Sequence, residues 1–156
     1  MAVHKLSIDD FEDDDFTLIA LHTSLEDYQL AYFINRELPV LLQKNKCDIQ
    51  FTSREGEATF SRFTWEEDEH DETWNLLENK SEASGAETPS GDLFTAEVAP
   101  VVYLLPEFKK VDFFLKIQNS TKSIDTIFSA LNGIDKITAV YEVDASRIKS
   151  KNNLIF

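Results

Sequence analysis

The sequence predicts an α+β fold, a mainly antiparallel sheet with two helices on one face, and three observations carry that expectation. Val111, Phe113, Leu115 and Ile117 alternate with Asp112, Phe114, Lys116 and Gln118, the period of a strand covered on one side, so this stretch is the expected central strand. Ile124, Ile127, Phe128 and Leu131 recur at the spacing of an amphipathic helix. Finally, Asp15-Phe16-Thr17-Leu18 begins a strand, a Ser-containing polar turn and a helix, and Asp112-Phe113-Phe114-Leu115 begins the same series. Each helix leads into further strand pattern. Two β-α-β units with right-handed crossovers make a ferredoxin-like arrangement, with extra strands inserted from the middle of the chain.

A chain of 156 residues fits one domain spanning residues 1–156, and its 12 Phe and 2 Trp supply ample core material. Cys47 is the sole cysteine, which rules out an internal disulfide and suits a reducing compartment. No run of apolar residues is long enough to span a bilayer, and the sequence turns acidic at Asp9 instead of continuing into an apolar signal core. The expectation is a cytoplasmic protein without membrane contact.

The net charge of −14 opposes non-specific binding to phosphate backbones. It is unevenly spread: residues 1–107 carry 24 acidic and 7 basic side chains, net −17, whereas residues 108–156 carry 5 and 8, net +3. Such a split orients a protein on a partner, and excess acid also keeps a small protein soluble.

Taken in order, Val3 to Ile8 has the pattern of a short edge strand. Residues 9–15, with six carboxylates in seven positions, form a solvated acidic connector; they lack the Gly and the ligand spacing of a calcium loop. Phe16 to Leu21 is a nearly continuous apolar strand. Ser24 is the expected cap of a helix with Glu26 and Asp27 in its first turn, a stripe of Leu25, Tyr28, Ala31 and Tyr32 widened by Leu30 and Ile34, and Pro39 as its limit. Asp48–Thr52 and Ala58–Trp65 read as a hairpin around Arg54-Glu55-Gly56. Residues 66–72 read as a second acidic connector, and Trp74 to Leu77 as another strand.

Residues 80–92 hold no aliphatic side chain larger than Ala and read as a flexible loop, after which Leu93-Phe94 is expected to dock back. Val98 to Leu105 is a strand interrupted by Pro100. Pro106 to Lys110 turns the chain into the central strand, Gly133 stops the second helix, and Ile137 to Val143 is a final strand before a tail with Arg147, Lys149 and Lys151.

The turn also carries a resemblance. Leu105-Pro106-Glu107 followed by Val111-Asp112-Phe113 resembles the signature of the IPExxVDY family of small Bacteroidetes proteins, with three residues between Glu107 and Val111 where the family name implies two. Met1-Ala2-Val3-His4-Lys5-Leu6, Leu25-Glu26-Asp27-Tyr28 and the ending Lys149 to Phe156 are similar as well. The family is uncharacterised, so the resemblance implies no activity.

Catalytic and cofactor patterns are not found. Cys47 lies between Lys46 and Asp48 without a recognisable base, no Gly-x-Ser-x-Gly is present, and four glycines build no phosphate-cradling loop. His4, His22 and His70 are scattered, with no zinc spacing, so neither a metal nor a cofactor is expected. Glu107 and Asp112 flank Lys109 and Lys110, which favours charged, paired carboxylates of structural use over a general acid. The leading expectation is a non-enzymatic protein-interaction or regulatory module. Its contacts are expected at the sheet edge and the Pro106 to Asp112 corner, with Tyr103, Pro106, Glu107, Lys109, Lys110, Asp112 and Phe114 as contact residues, and its partner is a protein, including a second copy of the chain. The alternatives are an ACT-like small-ligand sensor, and an RNA-associated accessory protein using Arg147, Lys149 and Lys151.

Overall fold

A computed structural model describes residues 15–84 and 99–156. The expected strand Val3–Ile8, all of the first acidic connector except Asp15, and residues 85–98 with Leu93-Phe94 lie outside the described residues. The fold is α+β: two α-helices and a six-stranded antiparallel sheet in the order β10-β1-β9-β6-β5-β2. Its strands are β1 (Phe16–Thr23), β2 (Gln43–Lys44), β5 (Arg62–Glu67), β6 (Glu72–Glu78), β9 (Phe113–Gln118) and β10 (Ile137–Glu142). Two small ladders pair β3 (Ile49–Ser53) with β4 (Gly56–Phe60) and β7 (Lys80–Glu82) with β8 (Val101–Tyr103).

β9 is central, as its sequence predicts. It pairs antiparallel with β1 on one side (Ile19 opposite Leu115) and with β6 on the other (Leu76 opposite Leu115). β1 and β6 therefore run parallel to each other with β9 between them. Helix α1 (Asp27–Glu37) follows β1, and α2 (Ile124–Asn132) lies between β9 and β10. Both helices cover the same face. Leu30, Ala31 and Ile34 of α1 and Ile127 and Leu131 of α2 join Ile19, Leu21, Trp74, Leu76, Phe113, Leu115 and Ile117 in one cluster.

The opposite face is covered too, which corrects the expectation of a central strand with one polar side. Leu18, Ala20, Leu77 and Phe114 pack there against Ala58 and Phe60 of β4, Val102 of β8, Leu104, Leu105, Val111 and the tail residues Ile148 and Leu154. Val111 precedes the strand and belongs to this second cluster, not with Phe113. Lys116 adapts to the covered face by donating from Nζ to the Leu154 carbonyl at 3.0 Å, with Phe16 and Phe156 rings 5.2 and 5.1 Å away.

Local chemistry sets the boundaries. Ser123 caps α2 by accepting the Thr126 amide at 3.2 Å. At α1 the expected Ser24 cap is replaced: Thr23 Oγ1 accepts the Leu25 amide, and Gln29 Oε1 accepts that of Glu26. Tyr28 and Tyr32, expected in the stripe, are each 62 % exposed. The Ala58–Trp65 segment is two strands broken at Ser61, whose hydroxyl donates to Asp27. Gly56, at φ 123°, closes the β3–β4 turn in a conformation open to glycine. The second acidic connector is a tight turn of residues 68–71, and Glu72 is a buried strand residue. Lys80–Glu82, expected at the start of the flexible loop, forms β7. Among the described residues no helix is long and apolar enough to cross a membrane.

Candidate functional site

The corner between β8 and β9 is built from the fixed φ of a proline and the amide of one asparagine. Leu105 is extended, at φ −117° and ψ 95°, as the residue before proline must be, and Pro106 opens a single-turn 3-10 helix ending at Phe108. Asn79 fastens this turn. Its Oδ1 accepts the Leu105 amide at 2.9 Å and its Nδ2 donates to the carbonyls of Phe108 and Val111 at 2.9 and 2.8 Å. Its backbone also bonds Leu104 and Asp112. Asn79 is fully buried and all its side-chain groups are used, the condition under which a buried amide stabilises.

The two carboxylates of the corner serve different segments. Asp112 accepts the Thr23 amide at the end of β1 and pairs with Lys80 Nζ, each at 2.9 Å. Glu107 reaches the tail: Oε1 accepts the amides of Lys149 and Ser150 at 2.8 and 2.9 Å, and Oε2 the Ser150 hydroxyl at 2.9 Å. Burial works against its charge, but the donors of Ser150 and Lys149 outweigh it and hold the carboxyl below its ordinary range. Neither carboxylate pairs with Lys109 or Lys110. Both are structural fasteners, and Asn153 adds a third link through its 2.8 Å bond to the Leu104 carbonyl.

Glu107 thus joins two groups of cations that lie far apart in sequence. Lys109 and Lys110 are exposed on the corner, and Arg147 and Lys149 are exposed on the segment that Glu107 holds against it. Lys109 also lies 5.7 Å from the ring centroid of Tyr103. A shallow groove runs between the corner and β10, lined by Pro106, Glu107, Phe108, Lys109, Lys110, Val111 and Tyr141. Tyr141 is 42 % exposed and its hydroxyl lies 2.9 Å from His22 Nε2. Phe114 is not part of this surface. It is fully buried and stacks edge-on against Phe108 at 6.2 Å, so no patch of Phe114 with Tyr103 exists on the outside. Lys151, half-buried, begins the last 3-10 turn. Asn79 and Tyr141 were not singled out by sequence: one sits in a polar Glu-Asn-Lys run and the other in an ordinary strand.

A second cluster lies at the opposite end of β9, on the β5–β6 turn. Ligand atoms of Glu67, Glu69 and His70 come within 4.8 Å of one another. The group is exposed and satisfied internally: Glu67 Oε2 lies 2.8 Å from His70 Nδ1, and that bond holds the Glu67 carboxyl below its ordinary range. His22, at the strand end, is engaged with Tyr141, and Cys47 is exposed.

No protein-family model matches the chain, no curated protein matches it, and no solved structure matches it.

Proposed function

We propose that this chain is a non-enzymatic protein-interaction module, a single domain working in the cytoplasm, whose contact surface is the Pro106–Asp112 corner with its attached tail. The observation that carries the reading is the grip of Glu107 on Lys149 and Ser150. It fastens the segment that carries Arg147 and Lys149 to the corner that carries Lys109 and Lys110, and the corner lines a groove with Glu107, Phe108, Val111 and Tyr141. Cations over an apolar floor suit an acidic protein segment carrying an apolar or aromatic anchor. The net charge of −14 disfavours non-specific attachment of an acidic segment to the chain as a whole.

The ferredoxin-like layout is part of this proposal. What supports it is the order β10-β1-β9-β6, in which β1-α1 leads to β6, β9-α2 leads to β10, and β2 to β5 are inserted after the first helix. The resemblance to the IPExxVDY family is likewise an inference from the Leu105 to Phe113 stretch.

The test is a pull-down of tagged protein from its native cytosol, with and without nuclease, run beside Lys109→Glu/Lys110→Glu. A stoichiometric partner that survives nuclease and is lost with the charge reversal supports the reading. Nucleic acid that is removed by nuclease and lost on Lys149→Glu/Lys151→Glu replaces it with RNA association.

A further inference from the structure

A bridge between Glu57 and Ser84 joins the two small ladders into one layer, β3-β4-β7-β8, which leaves β3 and β8 as its edges beside β2 and β10 of the main sheet. Three of these edges resist strand addition. β2 is two residues long and includes Lys44, β8 is three residues long and closely follows Pro100, and β10 leaves Thr138 unpaired in its ladder with β1. β3 has none of these devices. It is Ile-Gln-Phe-Thr-Ser, five residues without proline or charge, and it pairs with β4 in unbroken register from Ile49 opposite Phe60 to Ser53 opposite Gly56.

The bridge also fixes which groups of β3 face outward. Glu57 exchanges both backbone hydrogen bonds with Ser84, at 2.8 Å each, so its backbone is turned away from β3. Thr52, opposite Glu57, therefore turns its own amide and carbonyl to the outer side, and Gln50 does the same by alternation. Neither has a backbone partner on that side among the described residues. The side chains of Gln50 and Thr52 are exposed, while Ile49 and Phe51 pack, partly buried, against the second cluster. We propose that β3 pairs with β3 of a second copy of this chain, antiparallel, about a twofold axis at Phe51.

That register is self-complementary. Gln50 of each copy exchanges both backbone hydrogen bonds with Thr52 of the other. Phe51 meets Phe51 in the close, non-hydrogen-bonded pair on the axis, about 4.5 Å apart at Cα, where aromatic side chains interact across strands. Ile49 comes opposite Ser53. No charged residue falls within the paired stretch, so two copies that each carry −14 meet there without like charges opposite one another. Neighbouring registers lose this fit: an axis at Gln50 sets Arg54 against Lys46, and an axis at Thr52 carries the seam into the Arg54-Glu55 turn. The corner follows β8, across β4 and β7 from this edge, and shares no residue with it, so the dimer is independent of the proposed contact surface.

Sedimentation of the full chain from low to high micromolar concentration tests the pairing, together with disulfide trapping of its register. The expected result is a mass rising toward twice 17.9 kDa. Thr52→Pro removes an outward amide and no bond to β4, so it is expected to fold, by circular dichroism, and to remain monomeric. For trapping, Cys47→Ser/Gln50→Cys is mixed with Cys47→Ser/Thr52→Cys under mild oxidation. Positions 50 and 52 of the two copies stand about 5.5 Å apart at Cα, within reach of a disulfide, whereas two copies of either variant alone place their thiols on a diagonal of about 7–8 Å. Only the mixture is expected to cross-link, and the outcome does not depend on whether Thr52→Pro folds. A monomer at every concentration overturns the proposal. So does a dimer that survives Thr52→Pro, a dimer whose mixed variants do not cross-link, or one in which each variant cross-links as well alone as in the mixture.

Discussion

The carboxylate of Glu107 accepts both the amide and the hydroxyl of Ser150, although 43 positions separate them in sequence. A carboxylate bonded to amides gains more than a neutral acceptor does, about 1.5–3 kcal/mol per bond. Because the folded-state pKa lies below the ordinary value, the contribution is complete above the unfolded pKa of about 4.3 and is lost as pH falls through the folded pKa. Glu107→Gln is therefore expected to lower stability by about 2 kcal/mol near neutral pH and by much less in strong acid. Denaturation midpoints at both pH values check this. An equal loss at both would show that charge is not what holds the tail.

Asn79 is the tighter constraint. Asn79→Ala strands the Leu105 amide and removes the donors to Phe108 and Val111 in a buried site, at a cost of about 3 kcal/mol or more. Asn79→Asp keeps the acceptor for Leu105 but points negative charge at two carbonyls. Protonation relieves that, so this variant is expected to recover part of its lost stability as pH falls, measured relative to the parent chain. A constant deficit across pH would mean that the two donor bonds contribute little.

The parts of the fold that were legible in the sequence are those whose signals are local. Helix α2 combines a stripe at helical spacing with a glycine stop; β9 combines alternation with flanking turns. The missed parts depend on distant residues. Tyr28 and Tyr32 fit an apolar stripe by spacing, yet Asn35 bonds Leu42 on both sides of its amide and fixes the helix so that Leu30, Ala31 and Ile34 face the sheet. Lys80–Glu82 is polar and reads as loop, but its partner strand lies across an intervening segment of the chain. The candidate site was legible as a proline corner with two carboxylates. Its connection to Arg147 and Lys149 was not, because no sequence pattern announces that Glu107 binds Ser150.

Lys122 closes the other end of the sheet. Its ammonium sits 3.3 Å from Glu72 Oε1 and 5.1 and 5.6 Å from the ring centroids of Trp65 and Trp74. Burial opposes the charge of Glu72, yet Thr121, the Trp74 indole and Lys122 hold its carboxyl below the ordinary range. Removing one partner of a buried pair costs about 3–5 kcal/mol, because the other charge stays behind. Lys122→Met is expected to fall in that range, with a change in native tryptophan fluorescence. Glu72→Gln/Lys122→Met together should cost less than the two single changes added. Strict additivity would mean that the two groups do not interact.

Glu78 behaves in the opposite sense. Burial, reinforced by Asp27, raises its carboxyl above the ordinary range, while the Ser61 amide and Lys44 offset this only in part. For an acid whose folded pKa is raised, the contribution to stability is complete below the unfolded pKa and is lost as pH rises through the folded pKa. Near neutral pH the charged form is therefore a liability in the native state. Glu78→Gln keeps the size of the side chain and removes the charge, so the melting temperature should rise near neutral pH and change little at about pH 4. The comparison separates electrostatics from packing: a gain at both pH values would assign the effect to side-chain fit, and a loss near neutral pH would show that Lys44 makes the charge favourable.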